Sequence, residues 1–109
     1  MIDADATLKA LAEPRRREIL RLVGGDELSA GEVAAHFEVS RPAISQHLGV
    51  LREAGLVRER REGARRMYAA VPERLEELNR YLAGFWADGL SALKVAAEAE
   101  QRGLRHDGN

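Results

Sequence analysis

The sequence predicts a mainly α domain of about five helices with one small β-hairpin, built to dimerise through its first and last helices. Three observations lead there. Apolar residues recur at helical spacing in five segments, the period falls to two residues only between 56 and 71, and glycine or proline separates the blocks. The chain has 109 residues, 45% of them hydrophobic and 32% charged, which is ordinary globular composition. One domain over residues 1–100 is expected, followed by a polar, disordered tail over 101–109.

Leu8, Leu11 and Ala12 carry the first helix, after a cap at Asp5 or Thr7. Pro14 opens the second helix, where a missing N–H costs nothing. Ile19, Leu20, Leu22 and Val23 give that helix its apolar face, and Gly24-Gly25 end it. Ser29 and Glu32 have the spacing of a capping box, followed by Val33, Ala34 and Phe37 in a short third helix. Ser40-Arg41-Pro42 starts a fourth, with Ile44, Leu48 and Leu51 at i, i+4 and i+7 as its core stripe. Gly55 terminates it. Two short helices joined by a tight turn make a helix-turn-helix.

Residues 56–61 and 65–71 then read as two strands joined at Glu62-Gly63-Ala64, a charged hairpin of the kind called a wing. From Pro72 the helical period returns through Leu75, Leu78, Leu82, Phe85, Trp86, Leu90, Leu93 and Ala97, a helix of roughly 25 residues.

The net charge of −1 hides a strong asymmetry. Residues 41–66 hold seven arginines and three glutamates, a local charge of +4, and the rest of the chain carries −5. Such a field suits a polyanion, and arginine suits bidentate contact with phosphate or guanine. Cysteine is absent, which removes disulfides, thiolate metal sites and cysteine nucleophiles together. No apolar run is long enough to span a bilayer, and the acidic start, Met1 to Asp5, does not have the form of a signal peptide, so a cytoplasmic protein is expected.

With Ile44, Leu48 and Leu51 turned to the core, the fourth helix projects Arg41, Pro42, Ala43, Ser45, Gln46 and Gly49 outward. That face is small and polar, as entry into a major groove requires. Gln46 can bond adenine N6 and N7, Arg41 a guanine or a phosphate, and Pro42 or Ala43 a thymine methyl. The hydroxyls of Ser40 and Ser45, with the helix N-terminus, suit phosphate oxygens. An ordinary solvated face would be richer in Glu and Lys. In the wing, Arg60, Arg61, Arg65 and Arg66 are expected to grip the flanking backbone or minor groove. A charged hairpin also keeps an edge strand soluble, and Arg58 or Arg66 can instead pair with Glu59 or Glu62. Arg15, Arg16 and Arg17 read equally well as a solvated face.

No catalytic residues are expected: the chain has no glycine-rich phosphate loop, no serine elbow and no acid pair of useful spacing. His36 and His47 invite a metal reading, but a site needs three or four convergent ligands. His47 reads better as a half-buried, hydrogen-bonded side chain, and His106 falls in the tail. No metal and no cofactor are expected. The apolar stripe of the last helix is longer than the small helix-turn-helix core can cover. A dimer seam with the first helix follows, formed by Leu8, Leu11, Leu78, Leu82, Phe85, Trp86, Leu90 and Leu93, and two-fold symmetry then predicts a palindromic operator.

Leu8 to Leu20, Glu32-Val33-Ala34, Ser40 to Leu51, Ala54-Gly55-Leu56-Val57, and Arg61-Glu62-Gly63 with Tyr68 together resemble the ArsR/SmtB family of bacterial winged-helix repressors. The resemblance covers roughly residues 7–97. It implies a homodimer of helices with a β-wing that represses by occupying a promoter operator on double-stranded DNA. The family's metal sensors use thiolates in the third helix, or histidines and acids in the last. Here Val33, Ala34, Ala35 and His36 stand in the third helix, and the predicted last helix has no histidine. The chain is therefore similar to the metal-independent members, which often act as autorepressors. Two alternatives remain open: a sensor of the same fold, taking a small-molecule inducer near Tyr81 and Trp86 or a metal at a non-standard site, and a winged-helix protein-interaction module that never touches DNA.

Overall fold

Ten side chains from seven segments meet in one core. They are Ala10, Ile19, Val23, Val33, Ile44, Leu48, Leu51, Leu56, Val57 and Tyr68, with Ala30 at the edge. In chain order the elements are α1 (Ala4–Ala12), α2 (Pro14–Gly25), β1 (Leu28–Ser29), α3 (Ala30–Ala34), α4 (Arg41–Glu53), β2 (Val57–Glu62), β3 (Arg65–Ala70) and α5 (Pro72–Asp107). The computed structural model describes residues 3–107 and, of these, every side chain except Trp86 and 104–107. Five helices and a small antiparallel sheet are the architecture the sequence predicts.

Local signals account for most boundaries. The α1 cap is Asp3, whose Oδ1 accepts from the Ala6 N–H at 3.1 Å; Asp5 and Thr7, predicted as caps, lie inside the helix. Thr7 is buried and donates its hydroxyl to the Asp3 carbonyl at 2.9 Å, so its polarity is satisfied one turn back. Pro14 sits in the first turn of α2. The capping box forms completely: the Ser29 hydroxyl accepts from Glu32 N–H at 3.1 Å, and the Glu32 carboxylate accepts from Ser29 N–H at 3.0 Å. Ser40 caps α4 through the Ala43 N–H. At the other end of α4, Gly55 N–H donates to the Arg52 carbonyl and Leu56 N–H to that of Leu51, both at 2.9 Å. This Schellman closure needs the left-handed φ of +79° that Gly55 adopts without a Cβ clash.

The sheet has three strands in the order β1-β3-β2, all antiparallel, where the sequence gives two. The extra strand, β1, is two residues long and too short to show a period; it pairs Leu28 with Tyr68 and Ser29 with Met67. In the hairpin Glu59 opposes Tyr68, Arg61 opposes Arg66 and Glu62 opposes Arg65, so the strand bounds shift by a residue from the predicted 56–61 and 65–71. The turn is left to Gly63 and Ala64, with Gly63 at φ +61°.

The last helix is longer than expected. It spans 36 residues and takes in 101–107, predicted as tail, including His106. Alanine, leucine, glutamate, arginine and glutamine dominate its C-terminal half, and all are strong helix formers. The chain divides into two compact units, Met1–Leu78 and Asn79–Asn109, with the division inside α5. The first contains the core; the described residues of the second, 79–107, are the remainder of one helix. Among the described residues no helix is long and apolar enough to cross a membrane.

Candidate nucleic-acid interface

The buried stripe of α4 fixes what its other side presents. Ile44, Leu48 and Leu51 are fully buried, as the spacing predicts. Ser40, Arg41, Pro42, Ser45 and Gln46 are consequently exposed on the opposite side, with Ala43 and Gly49 half-buried at its margin. No ion pair is recorded for Arg41 among the described residues, and the exposed part of the first two turns bears no carboxylate. His47 is half-buried on the flank, its Nδ1 3.4 Å from Nη1 of Arg16, which is the hydrogen-bonded role the sequence gives it.

Between α4 and the wing lies a cleft of about 370 Å³. Arg41, Ser45 and Arg52 line it from α4, and Glu59, Arg65 and Arg66 from the hairpin. Glu59 is the half-buried floor: it accepts from Arg52 at 2.7 Å and lies 3.7 Å from Nε of Arg66. Burial, and then the Glu59 carboxylate, push the Tyr68 phenol above its ordinary range. The cleft therefore joins the outer face of α4 to the hairpin through one carboxylate and two guanidiniums.

All four predicted wing arginines are exposed, but their surroundings differ. Arg60 is bound to Glu27, with Nε 2.9 and 3.0 Å from the two carboxylate oxygens, and also to Glu62 at 3.0 Å. Hydrogen bonding to Arg60 holds the Glu27 carboxyl below the usual carboxylate range, and the same bond raises Arg60. Arg65 pairs with Glu32 of the capping box, and Arg66 with Glu59. The Arg66 pair is one the sequence leaves open, and Glu27 and Glu32 are partners it does not reveal, since both stand 33 residues from their arginines. Arg61 has no ion pair among the described residues.

Arg15, Arg16 and Arg17 are more than a solvated face. Arg16 donates to the carbonyls of Ala10 and Lys9, and Arg17 to those of Leu11 and Ala12, so together they close the C-terminus of α1. Arg15 lies 4.7 Å above the Phe37 ring.

The predicted seam residues separate in a similar way. Leu8, Phe85, Leu90 and Leu93 are exposed; Leu82 is half-buried, and Leu11 packs partly against the core. Leu78 is buried in its own protomer, only 7% exposed, because it lies in the first turns of α5 with the core unit, and this corrects its place in the seam. The Trp86 side chain lies outside the described residues. Among those residues no three His, Asp or Glu are grouped to hold a metal ion.

A family model described as a helix-turn-helix domain matches residues 11–60, from the end of α1 into the wing. The chain is 40% identical over 96 residues to the HTH-type transcriptional regulator Rv2034 of Mycobacterium tuberculosis, covering 88% of this chain and 90% of that protein. Its fold is similar to that of an ArsR-like transcriptional regulator from Rhodococcus sp. RHA1, with 32% identity, a TM-score of 0.70, and 86% and 92% of the two chains covered. It is also similar to the Mycobacterium bovis protein Mb0332, described as a homodimeric winged helix-turn-helix DNA-binding domain, at 30% identity and a TM-score of 0.61, covering 78% and 76%. Helix order, capping, wing and relatives agree: the chain belongs to the ArsR family of winged helix-turn-helix transcriptional regulators.

Proposed function

We propose that the protein is a homodimeric repressor that binds a palindromic operator in double-stranded DNA, with α4 in the major groove and the wing on the flanking backbone. The observation that carries this is the exposed, carboxylate-free face of Arg41, Pro42, Ser45 and Gln46 above a fully buried stripe. Gln46 reads adenine, Arg41 a guanine or phosphate, and Pro42 and Ala43 a thymine methyl. Ser40 already accepts from the Ala43 N–H and keeps its hydroxyl proton to donate to a phosphate oxygen; Ser45 offers its own hydroxyl from the next turn. Arg60, Arg61, Arg65 and Arg66 make that flank cationic, and Arg60 does so while held by Glu27 and Glu62. A second copy pairs through the first and last helices, covering the stripe of Leu82, Phe85, Leu90 and Leu93 on the last, and two-fold symmetry then sets two recognition helices about 34 Å apart.

The protein acts without a metal and from the cytoplasm. Support for the first comes from the absence of cysteine and from the segment 29–40, in which His36 is the lone histidine. The test is a selection of random duplexes with the purified protein, with and without a chelator. A palindrome should be enriched equally in both arms, and its affinity should fall steeply with salt. Enrichment of no sequence, or enrichment that the chelator abolishes, overturns the reading.

A further inference from the structure

Directly opposed residues of an antiparallel pair share a face, so the hairpin register sorts the wing arginines. Arg61 and Arg66 oppose each other, on the face that carries Glu59 and Tyr68. That face is turned to α4, because Glu59 is bound to Arg52. Arg60 stands on the other face, opposite Met67. From the edge strand β2 its guanidinium reaches over β3 to Glu27, the residue before β1, and holds both carboxylate oxygens. Bidentate pairing of this kind fixes orientation as well as charge, and Nη2 donates to Glu62 as well as to Glu27. Two guanidiniums facing each other across a ladder repel. Among the described residues Arg61 has no ion pair, and Arg66 has Glu59 alone, 3.7 Å away and already bound to Arg52. An anion between the two would relieve both.

We propose that the wing divides its arginines by face: Arg61 and Arg66 together take one phosphate of the duplex backbone, while Arg60, held by Glu27, is a positioning residue that ties β2 to the start of β1. The division rests on the DNA-binding reading and assigns its cationic contacts.

The experiment measures affinity for the selected duplex across a salt series, for wild type and for Arg61→Ala, Arg60→Ala, Arg60→Glu, Glu27→Gln and the charge swap Glu27→Arg with Arg60→Glu. Each protein's thermal midpoint is followed by circular dichroism. Arg61→Ala should weaken binding on every sequence and reduce the slope of log affinity against log salt by about one per protomer. Arg60→Ala and Glu27→Gln should weaken binding with the slope unchanged, and the swap should recover most of the affinity lost in Arg60→Glu alone. A full unit of slope lost in Arg60→Ala, a swap no better than Arg60→Glu, or an unchanged slope in Arg61→Ala overturns the proposal while leaving DNA binding intact. If Arg60→Ala unfolds, Glu27→Gln and the swap decide the same question. Wild-type protein that binds no duplex removes both readings.

Discussion

Residues 1–78 and 79–109 treat apolar side chains in opposite ways. In the first unit Ile19, Val33, Ile44, Leu48, Leu51 and Leu56 are fully buried, and nearly every helix end has its own cap. In the second, Leu90 is 54% exposed and Leu93 65%. A helix in water draws most of its stability from packing an apolar stripe, so the second unit is complete only when something covers that stripe. The first unit buries its apolar residues among themselves, and the second leaves its own uncovered.

The strongest way to break this comparison is to damage the core. Leu48→Ala should cost about 2–5 kcal/mol in a urea titration, because a fully buried leucine leaves a cavity among α2, α3 and α4. A leucine in the second unit should behave differently. Leu93→Glu should leave the fold of the first unit intact while weakening the dimer by about 1.5–3 kcal/mol for each buried leucine lost, read by sedimentation equilibrium. If Leu93→Glu instead unfolds the whole protein, or leaves the dimer constant unchanged, the contrast between the units fails. Gln46→Ala lies between these and the next effect. It should alter neither stability nor dimer constant, and should relax base preference at one position per half-site, at a cost of about 1–3 kcal/mol. An unchanged preference in a repeat selection removes Gln46 from the groove.

What the sequence shows of the fold is what neighbours in sequence decide. Ser29 and Glu32, Ser40 and Pro42, and Gly55 fix their helix ends through contacts within a few residues, and each signal is legible for that reason. Ile44, Leu48 and Leu51 declare the inner face of α4 and, by subtraction, the outer one. Partners distant in the chain are not legible. Nothing near Arg60 announces Glu27, and nothing near Arg65 announces Glu32, because sheet order and register bring them together. The same holds for Arg16 and Arg17, whose carbonyl partners depend on the angle between α1 and α2. Leu78 and Leu93 fall on one periodic stripe, yet only the fold shows that the first is buried and the second exposed.

The smallest effect tests whether the first unit's self-sufficiency reaches down to single caps. Ser29→Ala removes the hydroxyl half of the capping box and should cost about 0.5–2 kcal/mol, with no change in the dimer constant. The other half is acid-sensitive. The Glu32 carboxyl lies below the usual carboxylate range, chiefly because it accepts the Ser29 backbone N–H, then through the Ser29 hydroxyl, with Arg65 contributing less. A carboxyl lowered on folding stabilises the protein above its unfolded value of 4.5, and that contribution is lost as the pH falls through the lower folded value. Wild type should therefore lose stability on acidification below about pH 4.5, and Glu32→Gln should lose less over the same range. Arg65→Ala should retain most of the wild-type acid response, since the local bond dominates. Should Arg65→Ala flatten the response as fully as Glu32→Gln, the wing and not the cap governs Glu32, and α3 would depend on the hairpin for its first turn.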